Sequence, residues 1–292
     1  MENNTNIIKI ANNSKNNNHK YTNIYNIYNN RYNNKYIYID SHCHIEDKSF
    51  NKNRDVIIKN AMNNNIKIIT SGANLGGCNR ALKIKKDYSG IYNIYLTLGF
   101  HPCYTKADDY VINKVYDLIL RNEKNIIGIG EIGLDININN IERQKKIFIK
   151  FINLANELNK PIVVHARGKE EECYNTIINN SKFNNIISMF HCYSGDIELA
   201  KKLINADHYI SISTLVCFSE LHQNLVKNLE LENIVVETDS PYLSPIKGEK
   251  NQPTNVIKVV KKIYDIKKEE ETYNYDEIVN IIYKNTKRLF NI

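Results

Sequence analysis

Eight short apolar runs alternate with amphipathic stretches, and five of these runs lead into a histidine, glutamate or aspartate. The runs span 36–40, 66–71, 94–99, 126–130, 161–165, 186–191, 209–213 and 234–238. Some are apolar at consecutive positions, as in Ile162-Val163-Val164 and Ile234-Val235-Val236, the pattern of parallel strands covered on both faces. The clearest intervening helix is 141–158, where Ile147, Phe148, Phe151, Leu154, Ala155 and Leu158 recur at helical spacing. Eight strand-helix units in roughly 255 residues predict an α/β fold of the (β/α)8, or TIM barrel, type. An open doubly wound sheet is the alternative, and it lacks support because no Gly-rich phosphate loop follows the first run.

A barrel of this kind carries its chemistry on the loops at the C-terminal ends of its strands. His42 and His44 follow the first run, Glu131 the fourth and Asp239 the eighth, while His165 and His191 close the fifth and sixth. Imidazole and carboxylate are the usual ligands of divalent ions in hydrolytic sites. The two-residue spacing of His42 and His44 points both rings to one side of a strand. Glu131, flanked by Gly130 and Gly133, is either a carboxylate bridging two ions or an ordinary turn residue. In a closed barrel the eighth strand adjoins the first, which brings Asp239 beside the two histidines. Asp40 and Asp135 each either orient a ligand or cap an element, and Glu237 either supports Asp239 or is a paired charge. Arg167 suits bidentate contact with phosphate, and Tyr193 and Ser194 supply hydroxyl donors near the mouth.

The 292 residues carry a net charge of +7, which fits a polyanionic partner but equally fits the Asn/Ile/Lys/Tyr bias of the whole sequence. Residues 1–36 form an Asn-dominated tract expected to be disordered, leaving 37–292 for the barrel. Six cysteines without a compact spacing read as reduced thiols. No apolar run approaches a membrane span, and no secretory leader is visible. A soluble chain of the cytosol or nucleus is expected, with unconventional export left open.

The segments Asp40-Ser-His-Cys-His44, Gly99-Phe-His-Pro102, Gly130-Glu-Ile-Gly-Leu-Asp135, Val164-His-Ala-Arg167, His191-Cys-Tyr-Ser-Gly195 and Glu237-Thr-Asp-Ser-Pro241 resemble those of TatD-type metal-dependent deoxyribonucleases, in the same order and over about residues 37–290. The resemblance implies that Glu131, His165, His191 and Asp239, joined by His42 and His44, ligate metal. It further implies a DNA substrate, hydrolysis of phosphodiesters from a 3′ end, and Mg2+. The donor set itself, rich in imidazole, favours Zn2+ or Mn2+. Two departures stand out. Cys103 replaces a histidine usual after Gly-x-His-Pro, and Lys250-Asn251-Gln252-Pro253 replaces Arg-Asn-Glu-Pro. Both bear on substrate contacts, for which His101 and Asn251 are also candidates.

The mechanism expected from these residues is two-metal activation of water. One divalent ion is assigned to His42, His44, Glu131 and Asp239, the other to Glu131, His165 and His191, with Asp239 accepting the water's proton. Deacylation of D-aminoacyl-tRNA, or another ester or amide hydrolysis on the same barrel, is the nearest rival. A non-catalytic nucleic-acid-binding barrel is the more distant one. No obligate protein partner and no membrane association are expected.

Overall fold

The structure, a computed structural model, describes residues 35–181, 186–270 and 273–292. The expected disorder of 1–36 falls almost wholly outside these residues. Parallel pairing joins eight strands in chain order: β1 (Tyr38–Cys43), β2 (Ile66–Gly72), β3 (Ile94–Leu98), β4 (Gly128–Asp135), β5 (Ile162–Arg167), β6 (Ser188–Phe190), β7 (Tyr209–Ile212) and β8 (Ile234–Val236). Among the described residues the helices are α1 (Arg54–Asn63), α2 (Leu75–Asp87), α3 (Asp109–Arg121), α4 (Ile141–Leu158), α5 (Glu170–Asn180), α6 (Ile197–Asn205), α7 (Glu220–Asn228), α8 (Val256–Lys267) and α9 (Tyr275–Phe290). The (β/α)8 barrel is therefore the architecture adopted.

The sheet's two edges meet through backbone and side chain. Asp239 N–H donates to the His42 carbonyl at 3.0 Å, and His44 N–H to the Ser240 carbonyl at 2.7 Å. The buried Asp40 carboxylate accepts the Thr238 N–H at 2.8 Å and its hydroxyl at 2.6 Å. Asp40 thus stitches β8 to β1 and holds no imidazole, a correction to one of the two roles its sequence position suggested.

Inside the barrel, Ile39, Ile69, Val163, Met189, Tyr209 and Val235 pack with Leu289 and Phe290 at the end of α9, which plugs the base. The strand period of two then aims His165 and His191, two residues beyond Val163 and Met189, into the upper lumen. β1 and β4 break register against their neighbours, between Asp40 and Cys43 and between Ile129 and Ile132. Such irregularities re-aim side chains, and these two carry His42 and Glu131. β1, β4 and β5 end at Cys43, Asp135 and Arg167, past the ends of their apolar runs, because the site residues that continue them are polar.

Gly133 lies in the left-handed half of backbone space, with φ +146°, and a Cβ there would stand 2.0 Å from the His165 carbonyl oxygen. Only glycine lets β4 and β5 approach this closely beside Glu131 and His165.

Away from the lumen, the buried His208 ring takes the Ser188 N–H at 3.3 Å and lies 2.9 Å from its hydroxyl, both at Nδ1. Burial pushes its pKa down from 6.5 to about 4. Between those values the unfolded chain binds a proton that the folded chain refuses, so stability falls as pH drops through the window and is untouched above it. Urea unfolding of metal-stripped protein at pH 7 and pH 5 is expected to lose about 2 kcal/mol more in wild type than in His208→Asn. Equal losses in both would mean that His208 does not set this dependence.

Candidate metal centre

The C-terminal ends of β1, β4, β5, β6 and β8 bring the six ligand candidates into one buried cluster. Glu131 is its centre. Its Oε1 lies 2.8 Å from His191 Nε2, 2.9 Å from His165 Nδ1 and 3.4 Å from His101 Nε2. Its Oε2 lies 3.6 Å from His44 Nε2 and 3.7 Å from His42 Nε2. Asp239 Oδ1 faces the same two imidazoles at 3.5 and 3.7 Å. Ligand atoms bound about 2.1 Å from a common ion stand roughly 3 to 3.5 Å apart. The observed separations, from 2.8 to 3.7 Å, bracket that range on both sides of the carboxylate. Three triads each place one ligand atom per residue within 4.8 Å of the others: His42, His44 and Asp239; His42, Glu131 and His191; His101, Glu131 and His165. His101, expected to touch substrate or support a ligand, stands among the donors themselves.

Each of three rings is held from behind by a carboxylate. His165 Nε2 lies 3.1 Å from Asp135 Oδ2, which leaves Nδ1 to face Glu131. His191 Nδ1 lies 3.4 Å from Glu237 Oε1, which also accepts the Cys192 N–H at 2.6 Å. His44 Nδ1 lies 3.3 Å from Glu46 Oε1 and 2.9 Å from the Ser71 carbonyl. Such partners fix the ring orientation and raise ligand basicity. Asp135 is thus the orienting residue that its position allowed. Glu237 supports His191 rather than Asp239. Glu46 was not singled out from the sequence, although it extends the two-residue spacing of His42 and His44; Thr70 anchors its other oxygen with a 2.6 Å hydrogen bond.

The electrostatics follow from crowding five imidazoles and two carboxylates in a largely buried cluster. Burial disfavours charge on Glu131, yet the His101 and His191 rings and hydrogen bonds from His101 and His165 hold its carboxyl well below the usual range. Burial and then charge on His191 push His42 well down, whereas Glu131 and Glu237 outweigh burial and push His191 well up. Such opposed shifts within one cluster mark a functional site.

The other contact candidates divide. Arg167 and Ser194 are exposed and line a cleft of about 800 Å³ above the cluster. The Arg167 guanidinium has no hydrogen bond or ion pair among the described residues, and the Ser194 hydroxyl lies 3.2 Å from His222 Nε2. Tyr193 does not reach the cleft: it is buried, and its hydroxyl donates to the Asp196 carbonyl at 2.8 Å. Nor does Asn251, which is 0% exposed. Its amide donates to the Thr238 carbonyl at 2.7 Å and accepts from Gln252 N–H and the Asn255 amide, tying down the loop after β8. Arg80, unmarked in the sequence, also lines the cleft, its Nε–H donating to the Glu46 carbonyl at 2.9 Å. No cysteine joins the cluster among the described residues; Cys43 turns its thiol to the Ile69 carbonyl. A second groove, of about 840 Å³, runs along α5 and α6 and contains none of the cluster. No described helix is long and apolar enough to cross a membrane.

Comparison with known proteins agrees with this arrangement. The family model of TatD related DNases matches residues 39–291. The uncharacterized metal-dependent hydrolase MJ1582 of Methanocaldococcus jannaschii is 57% identical over 253 residues, covering 87% of this chain and 96% of its own. The uncharacterized metal-dependent hydrolase YcfH of Escherichia coli is 30% identical over 266 residues, covering 87% and 96%. Among solved structures, a TatD family hydrolase from Entamoeba histolytica superimposes with a TM-score of 0.79 at 21% identity, covering 88% of this chain and 99% of that one. With its barrel, its cluster and these relatives, the chain belongs to the TatD family of metal-dependent hydrolases.

Proposed function

We propose that the chain is a divalent-metal-dependent deoxyribonuclease that trims DNA from the 3′ end. The observation that carries this reading is the division of the Glu131 carboxylate, one oxygen toward His42 and His44 and the other toward His165, His191 and His101. That division is what two neighbouring cations require of a shared ligand. Bound there, two divalent ions supply Lewis-acid polarisation of a phosphoryl oxygen and a nucleophilic water near neutral pH. The imidazole-rich donor set favours Zn2+ or Mn2+, while the family resemblance favours Mg2+.

The chain's own groups have distinct tasks. Asp239, at the cleft and 13% exposed, takes the proton of the attacking water. Arg167 and Arg80 at the mouth pair with the phosphate oxygens flanking the scissile bond. Asp135, Glu237 and Glu46 keep the rings aimed.

Metal-stripped protein is expected not to cut single-stranded DNA, and to regain cutting when Mg2+, Mn2+ or Zn2+ is returned. A 5′-labelled strand should then shorten stepwise from its 3′ end. Absence of cutting with all three ions, by protein shown to be folded, would transfer the reading to ester or amide hydrolysis. Release of the amino acid from D-aminoacyl-tRNA is the assay for that rival.

A further inference from the structure

Two tyrosines beside the metal centre leave about half of their surface uncovered by the fold. Tyr242, in the loop after β8, is 54% exposed, and Tyr104, in the turn after β3, is 41% exposed. Both line the cleft. Each leans on a different half of the cluster. The Tyr242 ring stands 6.0 Å from the His44 ring, edge to face, and the Tyr104 ring stands 6.5 Å from His101 in the same manner. His44 faces Glu131 Oε2, and His101 faces Oε1. The two rings therefore stand beside different halves of the cluster, one next to His44 and the other next to His101.

Exposed rings scattered over a surface are ordinary, but these two line one cleft beside the metal centre. Nucleobases stack on such rings irrespective of sequence, because every base has a π-face. A base can lie flat on a side-chain ring only where its own face is free, as in a single strand, so stacking of this kind selects unpaired DNA. Arg80 and Arg167 on the same walls supply the cationic contacts that a strand's backbone needs. We propose that Tyr104 and Tyr242 are the specificity-determining pair for single-stranded DNA, stacking the bases on either side of the scissile phosphate. This deepens the nuclease reading and rests on it for the identity of the strand.

The test separates the two. Fluorescence anisotropy with the full-length protein and phosphorothioate-linked dT8, which resists cutting, measures binding alone. Wild type is expected to bind dT8 at least about fivefold more tightly than an abasic strand of equal length. Tyr104→Ala and Tyr242→Ala should each erase most of that preference, whereas Tyr104→Phe and Tyr242→Phe, which keep the ring, should retain it. With ordinary DNA, the alanine variants should raise KM by a similar factor and leave kcat close to wild type. Equal binding of dT8 and the abasic strand, or alanine variants that bind like wild type, would overturn the stacking role. If ordinary DNA is cut in that case, the nuclease reading survives without it. If base-dependent binding is found and DNA is not cut with any ion, stacking stands and the nuclease reading falls.

Discussion

Glu131→Gln is expected to lower DNA cutting by at least about a thousandfold and to reduce the bound metal below two ions per chain. The magnitude follows from the residue's position. Its two oxygens serve both halves of the cluster, so the amide removes one anionic donor from each at once. A lost electrostatic contribution of about 4 kcal/mol in the transition state corresponds to about a thousandfold in rate. Metal analysis of the purified variant, beside its kcat, decides the matter. Retention of two ions with near-normal turnover would remove Glu131 from the centre of the site. Loss of a single ion, with residual turnover on the other, would show that the two halves are filled independently. The glutamine is chosen over alanine because it preserves volume in a pocket where Glu131 is only 3% exposed, so that the change reports charge rather than collapse.

How much of this centre could be read in advance depended on whether a residue's role is local in the chain. His165 and His191 lie two positions beyond inward-facing Val163 and Met189, so strand periodicity alone aims them correctly. His42 and Glu131 occupy register breaks, and no apolar pattern shows a break; they were found because of the residue type at the strand end. Roles made by long-range contacts were harder. Asp40 and Thr238 meet only because the barrel closes, 198 residues apart along the chain. The sequence cannot distinguish an amide that reaches a ligand from one that, like Asn251, is wholly spent on neighbouring carbonyl, hydroxyl and amide groups. The Tyr193 hydroxyl, bonded to the Asp196 carbonyl, is the same case. Glu46 and Arg80 resemble surface charges until the fold brings Glu46 to His44 and Arg80 to the Glu46 carbonyl.

The supporting carboxylates also explain why the cluster tolerates its own crowding. Glu46, Asp135 and Glu237 each face the nitrogen turned away from the centre, at 3.3, 3.1 and 3.4 Å respectively. Each therefore fixes which nitrogen of its ring is free to bind. Without them a ring could turn and present a protonated nitrogen to the ion, which is useless as a ligand. His191 Nδ1 makes no hydrogen bond and relies on the nearby Glu237 charge alone, whereas His42 Nδ1, also buried without a hydrogen bond, has no carboxylate behind it. Its orientation rests instead on packing, with the His191 ring 4.3 Å away and the His44 ring 4.9 Å away.

Asp239→Asn is expected to lower kcat by about a hundredfold to ten-thousandfold, the range for loss of a positioned general base, with KM changed little. The backbone makes asparagine the informative substitution. Asp239 sits at φ +53°, in the left-handed region that Asp and Asn enter more readily than other side-chain-bearing residues. Alanine there would relax the turn that carries Ser240 and Tyr242 and so confuse lost chemistry with lost shape. Asparagine keeps the turn and keeps an oxygen facing His42 and His44, removing only the charge and the capacity to accept a proton. Metal content separates the two functions that the carboxylate combines. If Asp239→Asn holds as many ions as wild type and binds DNA normally but turns it over slowly, the residue handles the proton. If an ion is lost in step with activity, its contribution is ligation and the base must be sought elsewhere in the cleft. Turnover within a few-fold of wild type would exclude both roles.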